Sequence, residues 1–587
     1  VNQTYALTAV TAVVVATVLV GALGLRISRT TSDFYVASRT VRPRLNAAAI
    51  SGEYLSAASF LGIAGLVLVQ GPEMLWYPVG YTAGYLVLLV LVAAPLRRSG
   101  AYTLPDFAED RLESSLVRRL AGIFVVGVGW LYLLPQLQGA GLTLEVLTGA
   151  PRWVGGLVVA LVVTATVAAG GMRSITFVQA FQYWLKLTAL LVPAFFLIAA
   201  WCADGAPRAG FDAPAAFRQH TTVRMADSVS ITLEQPLTVG VLGRVDATEH
   251  QGEPVRLAPG SHLVRSGTTL SFPAGAAVPA TGPGPTESGS SLSEQLPATR
   301  EGHRLYETYG LILATFLGTM GLPHVAVRFY TSPNGRAARR TTLVVLALVG
   351  GFYLLPPVYG ALGRIYVPEL SLTKEADAAV LVLPDRILGG ALGDLLGALL
   401  AGGAFAAFLS TASGVTMAVA GVLHQDVLRA PGGRRLPLGA GALGVGAFRA
   451  AVAFAMLVPL AGSVVATEVP VADAVGLAFA VSASSFCPLL VLGIWWRGLT
   501  APGAVAGLLG GGGAALGAVM ATRAGLAPTG WTHTLLAWPA VWSVPLGFST
   551  MVLVSLATRS RIPAGTAATL ARLHLPEGFA SDRGAER

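Results

Sequence analysis

The chain has little charge, almost no lysine and next to no cysteine. Of its 587 residues 12% are charged and 54% hydrophobic, whereas an average soluble domain carries about 25% charged residues. That balance over such a length excludes an ordinary water-soluble fold and points to many membrane crossings. Cys202 and Cys487 are the only cysteines, each in or beside an apolar run. They exclude a disulfide framework and a thiolate metal site, and nothing in their setting calls for a bridge between them. The eight histidines are dispersed, so no clustered catalytic acids, bases or metal ligands argue for an enzyme. Lys186 and Lys374 are the only lysines, and arginine supplies nearly all of the net charge of +9. A basic chain can bind nucleic acid, but these arginines are scattered between apolar runs, where loop charge facing the cytoplasm explains them better. No cleavable leader is expected, because the first apolar run leads into Arg26 rather than a small-residue cleavage site.

What the chain does have is apolar runs of about 20 residues, the length that crosses a bilayer. Thirteen are expected, near 5–25, 45–70, 76–96, 119–148, 153–172, 179–203, 306–322, 341–367, 387–422, 446–465, 471–496, 502–522 and 535–557. Those at 45–70, 119–148, 341–367 and 387–422 are too long for one straight crossing and call for tilts or breaks. Five arginines lie between Arg26 and Arg44, five between Arg97 and Arg119, and four between Arg328 and Arg340; Arg429, Arg434 and Arg435 fall on the same side. The positive-inside rule then puts the N-terminus outside and the C-terminus in the cytoplasm of a multi-pass cell-membrane protein.

One polar stretch interrupts the pattern. Residues 204–305 are predicted to form a small β-rich extracytoplasmic insertion, with strand-like alternation at Val229–Leu233, Leu237–Leu242 and Thr269–Phe272. The tract from Ala280 to Ser293 is rich in Gly, Pro and Ser and is expected to be flexible. The basic tail after Ala557 is expected to lie on the surface.

The most telling apolar segment runs from Gly402 to Gly414 and carries Ser410, Thr411 and Ser413. Adjacent Ser410 and Thr411 point about 100° apart on a helix and can share one concave face. With the Ala407 carbonyl one turn back they would offer three hard oxygens, the ligand type that hard cations take. The alternative is packing, since Ser and Thr in membrane helices often hydrogen-bond the preceding turn or a neighbour. A partner segment is Ile50–Gly62, which also puts Gly, Ser and an acid inside an apolar span.

Ala407–Thr411 resembles the ion-binding signature of the sodium:solute symporters, on their eighth core helix, and Ser56–Gly65 resembles their first core helix. Gly318–His324 followed by Arg328–Thr331 is similar to the acetate permease and monocarboxylate branch, and the likeness runs from roughly Ser32 to Trp496. The resemblance implies an all-α, leucine-transporter-like inverted repeat working by alternating access. The chain would divide into an extra crossing (1–25), a first five-helix repeat with its leading loop (26–203), the insertion (204–305), a second repeat (306–500), two further crossings (501–557) and a tail (558–587). By position it implies a sodium shell from the carbonyls of Gly52, Leu55 and Ala407 and the hydroxyls of Ser410 and Thr411. Where sugar and proline carriers of the family place an aspartate important for sodium, this chain has Gln179, which leaves a proton open as the coupling ion. No covalent cofactor is implied.

A carboxylate inside a spanning helix marks an ion path or a paired charge. Glu53 could attract the coupling cation or carry a proton; pairing with Lys186, or with Tyr and Ser hydroxyls, or electrostatic tuning is expected over direct ligation of the ion. The cargo expected is a small carboxylate such as acetate, propionate or pyruvate, met by free N–H groups of a broken helix. Ser56, Ser59, Tyr81, Gln138 and Thr319 are the candidate lining residues, with Ser59 foremost. Gln136 and Gln138 leave a choice between cavity lining and packing. His324 and Arg328, four apart, read as a gate or structural pair at the cytoplasmic boundary. The rival readings are a carrier for proline or pantothenate and a carrier-like sensor.

Overall fold

The computed structural model describes residues 2–25, 37–208, 210–211, 215–225, 228–283, 303–373, 375–427, 441–465, 471–524, 526 and 530–576. Arg26 and Arg29, Lys374, the tract beyond 283, Arg429, Arg434, Arg435 and residues 577–587 lie outside them.

Among the described residues ten helices are long and apolar enough to cross a membrane: α1 (Gln3–Ala22), α4 (Pro72–Ser99), α5 (Ser115–Thr148), α6 (Arg152–Ala203), α9 (Gly335–Tyr366), α10 (Gly390–Gln425), α11 (Gly446–Val465), α12 (Ala474–Trp495), α13 (Ala501–Thr522) and α14 (Ala540–Ala557). Two bent pairs bring the count to twelve. In the first, α2 (Pro43–Tyr54) meets α3 (Ala58–Gln70) at 72°; in the second, α7 (Leu305–Gly321) meets α8 (Pro323–Phe329) at 42°.

α6 counts twice. Its 52 residues would be about 78 Å long if straight, more than twice a bilayer's hydrocarbon core. Gly171 interrupts it with a φ of 58° and ψ of −164°, a conformation open to glycine and strained for other residues. Thr166 and Val178 both come within 4 Å of where a side chain on Gly21 would stand. Residues twelve apart on a straight helix lie about 18 Å apart, so the chain folds back at Gly171. Of these ten long helices α10 is the most enclosed, buried at nearly every position from Leu396 to Val422. Its small residues let α1, α5 and α6 close around it.

The insertion is a seven-stranded antiparallel sheet ordered β1-β6-β3-β5-β2-β7, with β4 paired to β3. Its strands are β1 (Thr221–Arg224), β2 (Val229–Leu233), β3 (Leu237–Val245), β4 (Thr248–Leu257), β5 (Gly260–Val264), β6 (Thr269–Phe272) and β7 (Ala280–Pro283). The three expected strands are β2, β6 and the start of β3. Polar β4 has no buried alternating face, so it left no signal in the pattern. The tract expected to be flexible opens with β7, which pairs with β2. Inside the sheet Phe217 stacks on Phe272 at 4.6 Å, and Leu372, from the turn after α9, completes that core. The tail is not merely superficial either. Helix Thr566–His574 buries Leu570 and Leu573, and His574 Nε2 lies 2.9 Å from the Ile494 carbonyl.

Candidate functional site

The site grows from the first break. Pro43 starts α2, and every residue from Asn46 to Tyr54 is buried before helical geometry ends at Leu55, with φ −75° and ψ 90°. A helix end inside a membrane leaves carbonyls that must find donors. Here the donors come from α6 and α10. Lys186 Nζ donates to the Gly52 carbonyl at 2.5 Å, the Leu55 carbonyl at 2.6 Å and Ser410 Oγ at 2.9 Å. Ser410 Oγ stands 2.7 Å from the Gly52 carbonyl and 3.0 Å from that of Ala407. Thr411 Oγ1 donates to the intervening Glu53 carbonyl at 2.6 Å. The five residues put forward as sodium ligands thus meet in one buried knot, and the Lys186 Nζ lies within it. Gly52 has no alternative there, since a Cβ would stand 2.2 Å from the Gln179 carbonyl.

Glu53 takes a partner other than the one expected. Its carboxylate accepts from Arg328 Nε at 2.5 Å, both side chains being almost wholly buried. Arg328 also donates to Thr176 Oγ1 at 3.0 Å and to Gln179 Oε1, while Gln179 Nε2 donates to the Ser410 carbonyl at 2.8 Å. Gln179 therefore bridges the arginine to α10. Gly414 makes the room: a Cβ there would meet the Glu53 carboxyl at 2.1 Å. The sequence reading placed His324 and Arg328 at a boundary because Arg328 opens a basic loop. The break at Leu322–Pro323 instead turns α8 inward and buries all seven of its residues. The available signal was the apolar setting of Arg328 in His324–Phe329, directly after a proline. Glu53, Arg328 and Lys186 set one carboxyl group against two basic side chains, all three buried.

Beside the knot lies a cage of buried rings. Tyr54 packs edge-on against Tyr85 at 4.8 Å and Tyr81 at 6.1 Å, Tyr81 stacks on Tyr353 at 5.9 Å, and Phe479 lies 4.8 Å from Tyr81. Ser59 Oγ and Tyr353 OH share a hydrogen bond of 2.8 Å, as do Tyr54 OH and Thr319 Oγ1. Ser59, Tyr81 and Thr319 are thereby brought together, and Ser56 borders Tyr132. Gln136 Oε1 accepts from the Ala57 N–H at 3.0 Å and caps the second half-helix. Gln138, two residues on and so turned to the other side of α5, does not join the group. The tyrosines of the cage were missed, apart from Tyr81, because aromatic residues in a membrane span ordinarily read as packing. Among the described residues Tyr85 OH and His324 Nε2 are buried without a hydrogen-bond partner. Among the described residues no group of three or more His, Cys, Asp or Glu stands together as a metal centre, and Cys202 and Cys487 are both free thiols.

Comparisons with known proteins return symporters and transporters. The model of the sodium:solute symporter family matches residues 34–226 and 297–511. The uncharacterized symporter YwcA of Bacillus subtilis is 28% identical over 549 residues, covering 92% of this chain and 91% of that protein. A monocarboxylic acid transporter of Corynebacterium glutamicum is 28% identical over 540 residues, covering 89% and 86%. Among solved structures, a Na+-coupled sialic acid symporter in its substrate-bound outward-open state superposes with a TM-score of 0.58 at 11% identity. It covers 94% of this chain and 98% of that one, a likeness of fold.

Proposed function

This chain belongs to the sodium:solute symporter family, and on that premise we propose that it carries a short monocarboxylate such as acetate, propionate or pyruvate into the cell, coupled to a monovalent cation. Symport by a multi-pass membrane protein follows from the family; the cargo is our reading. The observation that carries it is the charge of the knot. One carboxyl group, Glu53, stands against two buried basic side chains, Arg328 and Lys186, beside a cage of buried rings. An anionic cargo restores neutrality there, whereas a neutral solute leaves the excess charge buried and uncompensated. The first turn of α3, beyond the break, adds N–H groups and a positive dipole end. The name of the Corynebacterium relative supports the same class. We also propose the orientation read from loop charge, with the N-terminus outside and the insertion on the outer face.

The test is uptake into proteoliposomes. Labelled pyruvate should accumulate above its outside concentration under an inward cation gradient and be competed by acetate and propionate. Accumulation of proline or pantothenate with no competition by monocarboxylates would replace this reading.

A further inference from the structure

Lys186 is the one lysine among the described residues, and its surroundings are unusual for a buried ammonium. None of its three hydrogen-bond partners is a carboxylate. They are two carbonyls released by a helix break and one hydroxyl, at 2.5, 2.6 and 2.9 Å, so each of its three N–H donors has its own neutral oxygen. That donor set is what a small monovalent metal ion takes when it sheds water for backbone and hydroxyl oxygens.

We propose that Lys186 Nζ is the resident cation of this site: it stands where the sequence leads one to expect a co-transported sodium ion, and the carrier works without sodium bound there. The inference rests on the symporter reading and deepens it. A tethered ammonium gathers the Gly52 and Leu55 carbonyls onto α10, as an arriving ion would. It does so without the loss of translational freedom that a diffusing ion incurs on binding. Being covalently held, it cannot leave with the cargo, so nothing bound at this position can couple uptake to a sodium gradient. A metal ion sharing the same oxygens would lie against a like charge in a buried setting, which opposes double occupancy. Glu53 does not compete for the ammonium, because its carboxylate is bound by Arg328.

The experiment compares full-length wild type with Lys186→Ala, purified in detergent and reconstituted, in sodium or choline chloride at equal ionic strength. Wild type should melt at the same temperature in both salts and exchange labelled pyruvate equally well in both. In choline, Lys186→Ala should melt lower and lose more than about tenfold in exchange, as loss of several hydrogen bonds to a charged group implies. Sodium, or butylammonium as a replacement for the missing side chain, should restore both in a saturable way. A variant that matches wild type in choline, or that neither cation restores, would overturn the proposal. If Lys186→Ala gives no folded carrier, Lys186→Met prepared with butylammonium present takes its place. A saturable rise of the wild-type melting temperature with sodium would overturn the proposal by itself. Melting needs no cargo, so a wild type that ignores pyruvate but a variant stabilised by sodium would sink the cargo reading and leave this one standing.

Discussion

The two broken helices solve one problem in opposite ways. At the first break, between α2 and α3, the backbone is left short of donors, and side chains travel to it: Lys186 from α6, Ser410 and Thr411 from α10. At the second, between α7 and α8, Pro323 forms the turn at a position that needs no N–H, and the break sends side chains outward. Arg328 crosses to Glu53 of the first broken helix, and Thr319 reaches Tyr54. One break gathers a cation; the other supplies charge and walls. Their difference in bend, 72° against 42°, goes with this division, since the sharper break exposes more backbone for a cation to hold.

The largest effect is expected where the two helices are joined. Glu53→Ala should strand Arg328 as a buried, unpaired charge and cost about 3–5 kcal/mol, the usual penalty for breaking a buried ion pair from one side. The double variant Glu53→Gln with Arg328→Gln should be less damaged than either half alone, read as melting temperature and yield of folded carrier. If the single variant melts like wild type, the breaks are not joined by this pair.

Next come the glycines that let the first break close. Gly52→Ala would drive a Cβ into the Gln179 carbonyl and Gly414→Ala into the Glu53 carboxyl. Overpacking of this kind costs about 1–3 kcal/mol. Gly52→Ala should be the worse, because backbone cannot move aside as a side chain can. Equal and negligible shifts in melting for both would mean that α2, α6 and α10 do not pack this closely.

A smaller and more selective effect is expected in the cage. Ser59→Ala leaves Tyr353 OH without its partner and should raise the pyruvate KM by up to about tenfold, near 1.4 kcal/mol, with little change in melting. A lowered melting temperature with an unchanged KM would assign Ser59 to packing instead.

The insertion serves as the control. Arg218 and Asp204 form an exposed pair, with Tyr366 OH also donating to Asp204 at 2.8 Å. The hydrogen bonds from Arg218 and then Tyr366 hold the Asp204 carboxyl below the usual carboxylate range. Whatever this contributes is present above the ordinary carboxylate range and fades as pH falls through the depressed value. Surface pairs count for little, so Arg218→Ala should leave uptake unchanged and merely flatten a slight acid dependence of melting. A marked fall in uptake would tie the insertion to the transport cycle.

The membrane helices were legible because length and apolarity are the signal, and the fold-back at Gly171 was legible as two spans. The knot was legible as a set of residues, since hydroxyls and glycines stand out in an apolar run. What fills it was not. Lys186 lies over a hundred residues from both Leu55 and Ser410 along the chain, and no local pattern says which of several oxygen clusters a buried ammonium will reach. Glu53 was recognised as a paired charge, but its partner was misassigned because Arg328 begins a basic loop and a single proline decides whether it faces water or core. Strand β4 escaped for a plainer reason: it is exposed along most of its length and only Val255 and Leu257 at its end reach the core, too short a stretch for alternation to show.

The most direct measurement is pyruvate uptake by proteoliposomes in sodium-free medium under an imposed inward proton gradient, corrected for protein-free vesicles. The account predicts concentrative uptake, competed by acetate and lost in Lys186→Ala. Uptake that appears only when sodium is added, and survives in Lys186→Ala, would contradict it.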